Sequence, residues 1–549
     1  MKNYFLLVAM MLIAAFSVSA YDFEIDGIYY NFNEDGISVS VTMAPTYDEF
    51  GEVISDYSSY YGEIIIPETI SYYIGPDDVI YTVTAIGDHA FYHSGVESVT
   101  IPETVTQIGE SAFCYCSGLT RINVPKSVIL IDRWAFDGCS SLTSMTVAGD
   151  NPNYDSRDNC NAIIETSSNT LIAGCKNTII PNTVTAIGEC AFENCNELTN
   201  IDIPNSVTTI GDNAFYSCTM LNSIDLPNSV TSIGEYAFAQ CSELVSVTIP
   251  EYLTTINSNT FYYCTKLNNI RIPSTVTTIG REAFYKCYAL SSIDIPNSVT
   301  TIGDNAFFNC RGLTTISIPN SVTHIGRSVF SQCTNLSSID IPNSVISIGG
   351  DTFYNTPWYN NQPDGLVYAG MVAYHYKGTM PDGTNIVLQD GTHSITTYAF
   401  YNCRGLSSIV IPNSVQIVDG GAFYGCSNLK DVYVYNNDPS TIKVSTTTFY
   451  YYNGDFSNRT LHVPYGSLAA YQNNNLWSPY FGTIVEMEAG PVGDLSGDGT
   501  IDIDDVTMLI DVLLGNNTTT LNTAIADING DNMLDIDDVT LLISQLLGR

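Results

Sequence analysis

Two short acidic segments near the C-terminus hold the residue types and spacing that most plainly imply chemistry. Asp494, Ser496, Asp498, Thr500, Asp502 and Asp505 stand at positions 1, 3, 5, 7, 9 and 12 of one loop. Thirty-three residues on, Asp527, Asn529, Asp531, Met533, Asp535 and Asp538 repeat the arrangement. An all-oxygen set at these intervals suits Ca²⁺, with position 7 offering its backbone carbonyl and position 9 commonly acting through water. Gly499 stands at position 6, where the loop must turn sharply, and Asn532 takes that place in the second loop. Asn tolerates a left-handed backbone better than most residues. Position 12 is Asp in both loops rather than the longer Glu of an EF-hand. A merely solvated acidic tail would not repeat the ligand spacing and the apolar position 8 (Ile501, Leu534) in duplicate. Two calcium sites are therefore expected.

Elements must hold these loops, and the sequence supplies a helix after each. Val506, Leu509, Ile510 and Leu513, then Val539, Leu542, Ile543 and Leu546, follow i, i+3, i+4, i+7 spacing, one apolar face per helix. The two faces should pack into a small core, and metal binding should supply much of the folding free energy of so small a module. The duplicated loop and helix resembles a type I dockerin. That resemblance implies a cohesin-like protein partner and a place in an extracellular assembly, often one that degrades plant polysaccharide. It also implies recognition through loop positions 10 and 11, here Ile503-Asp504 and Ile536-Asp537. Many members carry hydroxyl residues there; this chain carries Ile-Asp twice. The near-identity of the halves leaves two binding orientations open.

Most of the chain is a repeat. The segment I-x-I-P-N-S-V-T-x-I-G-x-x-A-F-x-x-C-x-x-L returns every 23 residues, marked by Pro181, Pro204, Pro227, Pro250, Pro273, Pro296, Pro319 and Pro342. A strict period of this length means a solenoid, whose units are too small to bury their own apolar faces. Each unit reads as a short strand ended by Pro, a Pro-Asn-Ser turn, a second extended piece, and a tight Ala-Phe turn. The Phe column runs from Phe91 to Phe449 and should fill the middle. The pattern resembles the BspA-type leucine-rich repeat family, bacterial surface proteins. The fold implied is a β-rich leucine-rich-repeat solenoid of parallel strands, and for some members the resemblance implies adhesion to host matrix or cell-surface proteins.

The expected boundaries follow. Residues 1–20, with Lys2, an apolar run from Tyr4 to Phe16 and small residues at Val18-Ser19-Ala20, read as a secretory signal peptide. Residues 21–63 lack the repeat and alternate around Asp26-Gly27 and Asp35-Gly36, the marks of a capping β segment. The solenoid should span 64–488, with insertions near 150–176 and 357–378. Residues 489–493 read as a linker and 494–549 as the calcium module. No other stretch reaches transmembrane length. A secreted or cell-surface protein, and a monomer, is expected.

Composition narrows the function. Lys and Arg number 18 against 57 Asp and Glu, a net charge of −39. Nucleic acid is excluded as a partner, because it needs a basic footprint. Of the 15 cysteines, eleven share one repeat position, from Cys116 to Cys426, and should stack as buried thiols. Cys160 and Cys175 flank a hairpin pattern, and spacing leaves their pairing open. The six histidines are scattered, and no nucleophile elbow or phosphate loop occurs, so catalysis is not expected. Binding must then use variable surface positions. One strand column exposes Asp202, Asp225, Arg271, Asp294 and Asp340, whose acidic members suit a basic partner; a second column is aromatic, including Tyr262, Tyr285 and Phe308, and reads as a shield over the Phe column before it reads as an interface. Adhesion through the solenoid, with docking through the C-terminal module, is the favoured reading. An accessory role in a polysaccharide-degrading complex is the alternative.

Overall fold

The computed structural model describes residues 21–45, 58–74, 77–450, 456–488, 492–495, 500–515, 523–531 and 533–548. The expected leader, residues 489–491 of the expected linker, and loop residues Ser496, Asp498, Gly499 and Asn532 lie outside the described residues. The fold is a β-solenoid of about 17 turns with parallel strands, followed by a small helical region. Contacts divide the chain into two compact units. One comprises residues 1–298 with 306–314 and 333–335; the other comprises 299–305, 315–332 and 336–549.

In both units the period sets the register. Ser223, Ile224 and Asp225 pair in parallel with Ser246, Val247 and Thr248, each residue beside its counterpart 23 positions on. In the second unit Thr315, Ile316 and Ser317 pair likewise with Ser338, Ile339 and Asp340. A second ladder of two-residue strands runs through Ala186–Ile187, Thr209–Ile210 and Ser232–Ile233. Alternation decides what is buried: Ile201 and Ile203 point in while Asp202 is exposed, although no regular strand forms at that repeat. Between the two ladders Pro204 accepts a hydrogen bond from Val207 N–H at 3.0 Å, which closes the Pro-Asn-Ser turn. Gly234 is required by close approach rather than by its backbone angle, since a Cβ there would lie 2.4 Å from the Asp212 nitrogen of the turn below.

The Ala-Phe turns stack as tightly as the strands. Asn213, Phe215 and Ser217 each donate a backbone N–H to the next turn, to Glu235, Ala237 and Ala239, at 2.8–2.9 Å. This geometry needs two left-handed residues four apart, here Asn213 (φ 53°) and Ser217 (φ 58°), and it recurs along the chain. The Phe rings are fully buried, or nearly so, throughout. From Phe192 to Phe307 their centroids lie 5.0–5.8 Å apart with planes within 13°. Tyr60 covers Phe91 at 4.8 Å in the first unit, and Trp477 and Phe481 cover Phe449 at 5.6 and 5.2 Å in the second.

The cysteines prove to be hydrogen-bonding residues as well as fillers. Every cysteine is free, including Cys160 and Cys175. From Cys218 to Cys333 each thiol reaches the carbonyl of the Phe in the preceding turn at 3.1–3.2 Å. That carbonyl already accepts the N–H of the cysteine in its own turn, as Phe215 O does from Cys218 N at 3.2 Å. Both lone pairs are therefore used. Phe449 has no such cysteine after it. The buried guanidinium of Arg459 replaces the thiol, donating to the carbonyls of Phe449, Cys426 and Leu429 at 3.1, 3.0 and 3.3 Å.

The insertions are spliced-in turns rather than appendages. In the first, strand Ala162–Glu165 pairs antiparallel with Thr170–Gly174, which in turn pairs in parallel with Ala186–Ile187. Gly174 lies against the Phe192 ring, where a Cβ would come within 2.2 Å of a ring carbon. The second insertion does the same with Gly365–Ala369 and Val372–Lys377, and Tyr376 takes the place over Phe400 at 6.4 Å. A third hairpin, Thr69–Ile74 with Asp77–Ile86, falls within residues assigned above to ordinary repeat. Its signal was present, alternating runs either side of Gly75-Pro76. The N-terminal segment forms antiparallel strands Phe23–Ile25, Ile28–Phe32 and Ser38–Val41, the last in parallel with Asp77–Ile86.

Phe261→Ala should cost about 3–5 kcal/mol, because the stacked column cannot collapse around the loss; urea denaturation showing less than about 1 kcal/mol would contradict this placement. Burial pushes the ladder thiols upward, Cys241 to about 12, and Cys264 and Cys287 well above the ordinary thiol value. A thiol-specific disulfide reagent near pH 8 should therefore leave Cys218 to Cys333 unlabelled until denaturant is added. Rapid labelling of these ladder positions in the native chain would refute their burial.

Candidate functional sites

The C-terminal module is built on two helices of matching design, Ile503–Leu513 and Ile536–Leu546. Each opens on an aspartate N-cap. Asp502 accepts from Asp504 N–H at 2.8 Å and Asp535 from Asp537 N–H at 2.9 Å. Each cap is reciprocated from three residues on, since Asp505 accepts Asp502 N–H at 2.8 Å and Asp538 accepts Asp535 N–H at 3.0 Å. These are capping boxes, which fix where each helix begins. The two carboxylates at loop position 12 are thereby buried completely. Asp538 also accepts from Ile528 and Asn529 N–H at 2.8 and 3.2 Å. Burial works against its charge, but the three amides outweigh it and hold the carboxyl below the usual range.

The second loop wraps around its own side chains. Asp527 accepts from Gly530 and Asp531 N–H at 2.7 and 3.0 Å, Asn529 from Asp531 N–H at 2.8 Å, and Asp531 from Met533 N–H at 2.8 Å. Among the described residues no three His, Cys, Asp or Glu side chains converge closely enough to hold a metal. The donor set nonetheless fits a hard cation, because every side-chain group offered is oxygen, apart from Met533 at the backbone-carbonyl position. In the first loop Asp494 and Asp505 are buried, Asp502 is half-buried and Thr500 is exposed.

The module's core differs from the expected pair of faces. Val506, Leu509, Val539 and Leu542 are buried with Leu495 and Ala526, and Leu513 packs beside them. Ile510, Ile543 and Leu546 are 36–40% exposed. The helices meet along a narrower stripe than their spacing allows, and the rest of each apolar face is left to solvent. Ile503 and Ile536, at corresponding places in the first helical turns, are 64% and 67% exposed, with Asp504 and Asp537 exposed beside them.

On the solenoid, Asp202, Asp225, Arg271, Asp294 and Asp340 are all exposed. They do not form a uniform acidic stripe. Thr248 donates its hydroxyl to Asp225 at 2.9 Å, and Arg271 pairs with Glu251 rather than with an aspartate of its own column. The aromatic column is half-buried, with Tyr262, Tyr285 and Phe308 stacked at 4.8–4.9 Å.

A further cluster was not visible to periodicity. Where the first inserted hairpin breaks the Phe column, Trp134, Asp137, Cys190 and Glu193 line a cavity of about 250 Å³. Asn194 donates to Asp137 at 3.1 Å, the Cys114 thiol lies 3.6 Å from the same carboxylate, and Trp134 donates to the Cys190 sulfur at 3.0 Å. Glu193 Oε2 is buried without a hydrogen-bond partner. Burial pushes Asp137 up to about 6; burial and the Asp137 charge push Glu193 up to about 7. The only hint in the sequence was that Cys114 and Cys190 stand outside the thiol period.

Residues 84–172, 169–287, 254–362 and 373–469 match the family described as BspA type leucine rich repeat region, in six copies. The chain belongs to this family. Residues 492–547 of this repeat protein match the dockerin type I domain. Both families are generally non-catalytic and typically extracellular or at the cell surface; dockerin type I domains generally bind calcium and cohesin partners. A solved leucine-rich repeat protein from Bacteroides ovatus is 23% identical, covering 85% of this chain and 100% of its own, with a TM-score of 0.37. One from Eubacterium ventriosum is 22% identical over 63% of this chain and 97% of its own, TM-score 0.44. A leucine rich cell surface protein from Faecalibacterium prausnitzii is 24% identical over 77% and 97%, TM-score 0.32. A search of curated proteins found no match. No helix among the described residues is long and apolar enough to cross a membrane.

Asp137 and Glu193 bind protons more tightly folded than unfolded, where 3.8 and 4.5 apply. Their stabilising contribution is complete below about pH 4 and is lost as pH rises through about 7. The double variant Asp137→Asn, Glu193→Gln should flatten the fall in urea midpoint across that window. A profile identical to that of the unaltered chain would remove these two groups as its source.

Proposed function

We propose that this chain is an exported, non-catalytic binding protein. Its solenoid contacts a basic protein surface, and its C-terminal module binds two Ca²⁺ ions and docks onto a cohesin-like domain. The observation that carries the docking reading is the pair of exposed isoleucines, Ile503 and Ile536, presented identically by two capping-box helices. An apolar side chain beside an exposed carboxylate, held on a rigid helical turn, is a suitable anchor for a partner. The duplication supports docking in either of two orientations. The ions would be held by Asp494, Ser496, Asp498, Asp502 and Asp505 with the Thr500 carbonyl, and by Asp527, Asn529, Asp531, Asp535 and Asp538 with the Met533 carbonyl. Calcium there neutralises carboxylates gathered on short loops and so favours the loop conformation that starts each helix.

The exposed aspartates Asp202, Asp225 and Asp294 of the first unit support a basic partner for the solenoid, as does the net charge of −39. Residues 1–20 would direct export. Membership of a polysaccharide-degrading assembly would follow only from the identity of the docking partner.

Excess chelator should abolish most of the helical circular dichroism of the full chain, since the other helices described are no longer than five residues. A helical signal that survives chelation would oppose calcium-dependent folding. Pull-down with the full chain should recover a cohesin-like partner in Ca²⁺ and lose it in chelator. Ile503→Asp alone should weaken recovery little, because the second face remains, whereas Ile503→Asp with Ile536→Asp should abolish it. Capture that ignores both substitutions would sink the docking face.

A further inference from the structure

The second inserted hairpin opens a pocket of about 430 Å³ within the second unit, a size typical of small-molecule sites. Its cause is local. The inserted Tyr374 meets Phe353 at 64° and 5.0 Å instead of stacking flat as another column Phe would. Tyr359 and Tyr374 stand at 80° to one another with centroids 5.9 Å apart, and Tyr398 and Tyr401 at 76° and 5.3 Å. With Tyr354, these rings make most of the wall, and among the described residues Asp351 is the one carboxylate in it.

The charge pattern points to one class of guest. Among the described residues no Lys or Arg lines the pocket. The nearby Lys377 is turned to the carbonyls of Asn360, at 2.7 Å, and Gln362, with its ammonium 6.0 Å from the Tyr359 centroid. His375 shares a 2.6 Å hydrogen bond with the Tyr359 hydroxyl, and burial lowers its pKa, so it adds no positive charge at neutral pH. Asp351 makes no ion pair among the described residues and is exposed. Aromatic rings set at right angles around a carboxylate form a box whose ring faces and acid both attract a cation. A neutral sugar could use the rings and hydroxyls but would leave the acid without a counter-charge. The overall charge of −39 adds to the local excess of cations.

We propose that this pocket binds an alkylammonium group, either as a free methylated amine or as a lysine side chain carried by a partner. The assignment goes beyond the docking reading and stands independently of the C-terminal module.

The full chain is titrated with tetramethylammonium chloride by ligand-observed NMR at constant ionic strength. Glucose serves as the neutral comparison, and Nα-acetyl-lysine amide and a short amidated peptide with one lysine serve as the amine arms. Saturable binding of tetramethylammonium is expected, weakened about tenfold or more by Asp351→Asn and by Tyr401→Ala. Tyr424→Ala, one turn along the same aromatic column but outside the pocket, should leave it unchanged. Asn accepts the left-handed backbone of position 351 (φ 59°), and Tyr401 is half-exposed, so both variants should keep the parent melting temperature. Tighter binding of the peptide than of Nα-acetyl-lysine amide assigns the partner-borne source, and equal binding assigns the free amine; either supports the pocket. Absence of saturable cation binding, cation binding indifferent to both variants, or glucose binding that survives Asp351→Asn overturns it.

Discussion

From Phe192 to Phe307 the carbonyl of each column phenylalanine ties a turn to its neighbour. It accepts the cysteine N–H that closes its own turn and the cysteine thiol of the next, as Phe215 does from Cys218 and Cys241. A buried carbonyl with an unused lone pair forgoes a hydrogen bond. The repeat therefore favours a successor placed one period away, in register. This explains why a small residue with a weak donor recurs there, and why the thiols from Cys218 to Cys333 stack without pairing as disulfides. It also explains Arg459. With no following cysteine, the acceptor at Phe449 is met by a buried guanidinium, whose charge is shared among three carbonyls and, among the described residues, paired with no carboxylate.

Identical stacking leaves little room for function inside the solenoid. Cavities arise where an inserted hairpin stands in for a turn without copying it. At the first seam Gly174 replaces a column residue, and the space beside Phe136 and Ala191 holds two carboxyls that favour protons. At the second, Tyr374 and Tyr376 replace flat stacking with angled rings and leave an open box. The same logic governs the C-terminal module. Its capping boxes use the carboxylates at positions 9 and 12 of each loop, so the residues that suit a cation also decide where the helices start.

Much of this was legible in the chain. The Pro, Gly, Phe and Cys spacing implied parallel strands, a buried aromatic column and stacked thiols, because a one-dimensional stack repeats each contact at the period of the sequence. The module helices were equally plain. Their packing was not: spacing marked Ile510, Ile543 and Leu546 as core, yet they face solvent. Periodicity reports one helix's face but not the angle at which a second helix crosses it. The hairpin at Thr69–Ile86 was missed because its alternation merges with that of the adjoining repeat.

The sequence by itself determined the period, the register and the identity of the buried column, since neighbours 23 residues apart must satisfy one another's hydrogen bonds and volumes. Only the tertiary structure decided what happens where the period fails. Asp137 and Glu193 lie far apart in sequence and share a cavity, and Tyr359, Tyr398 and Asp351 line another, through a hairpin whose strand took a turn's place. No local pattern encodes such meetings, because they depend on how an aperiodic segment is accommodated between periodic ones.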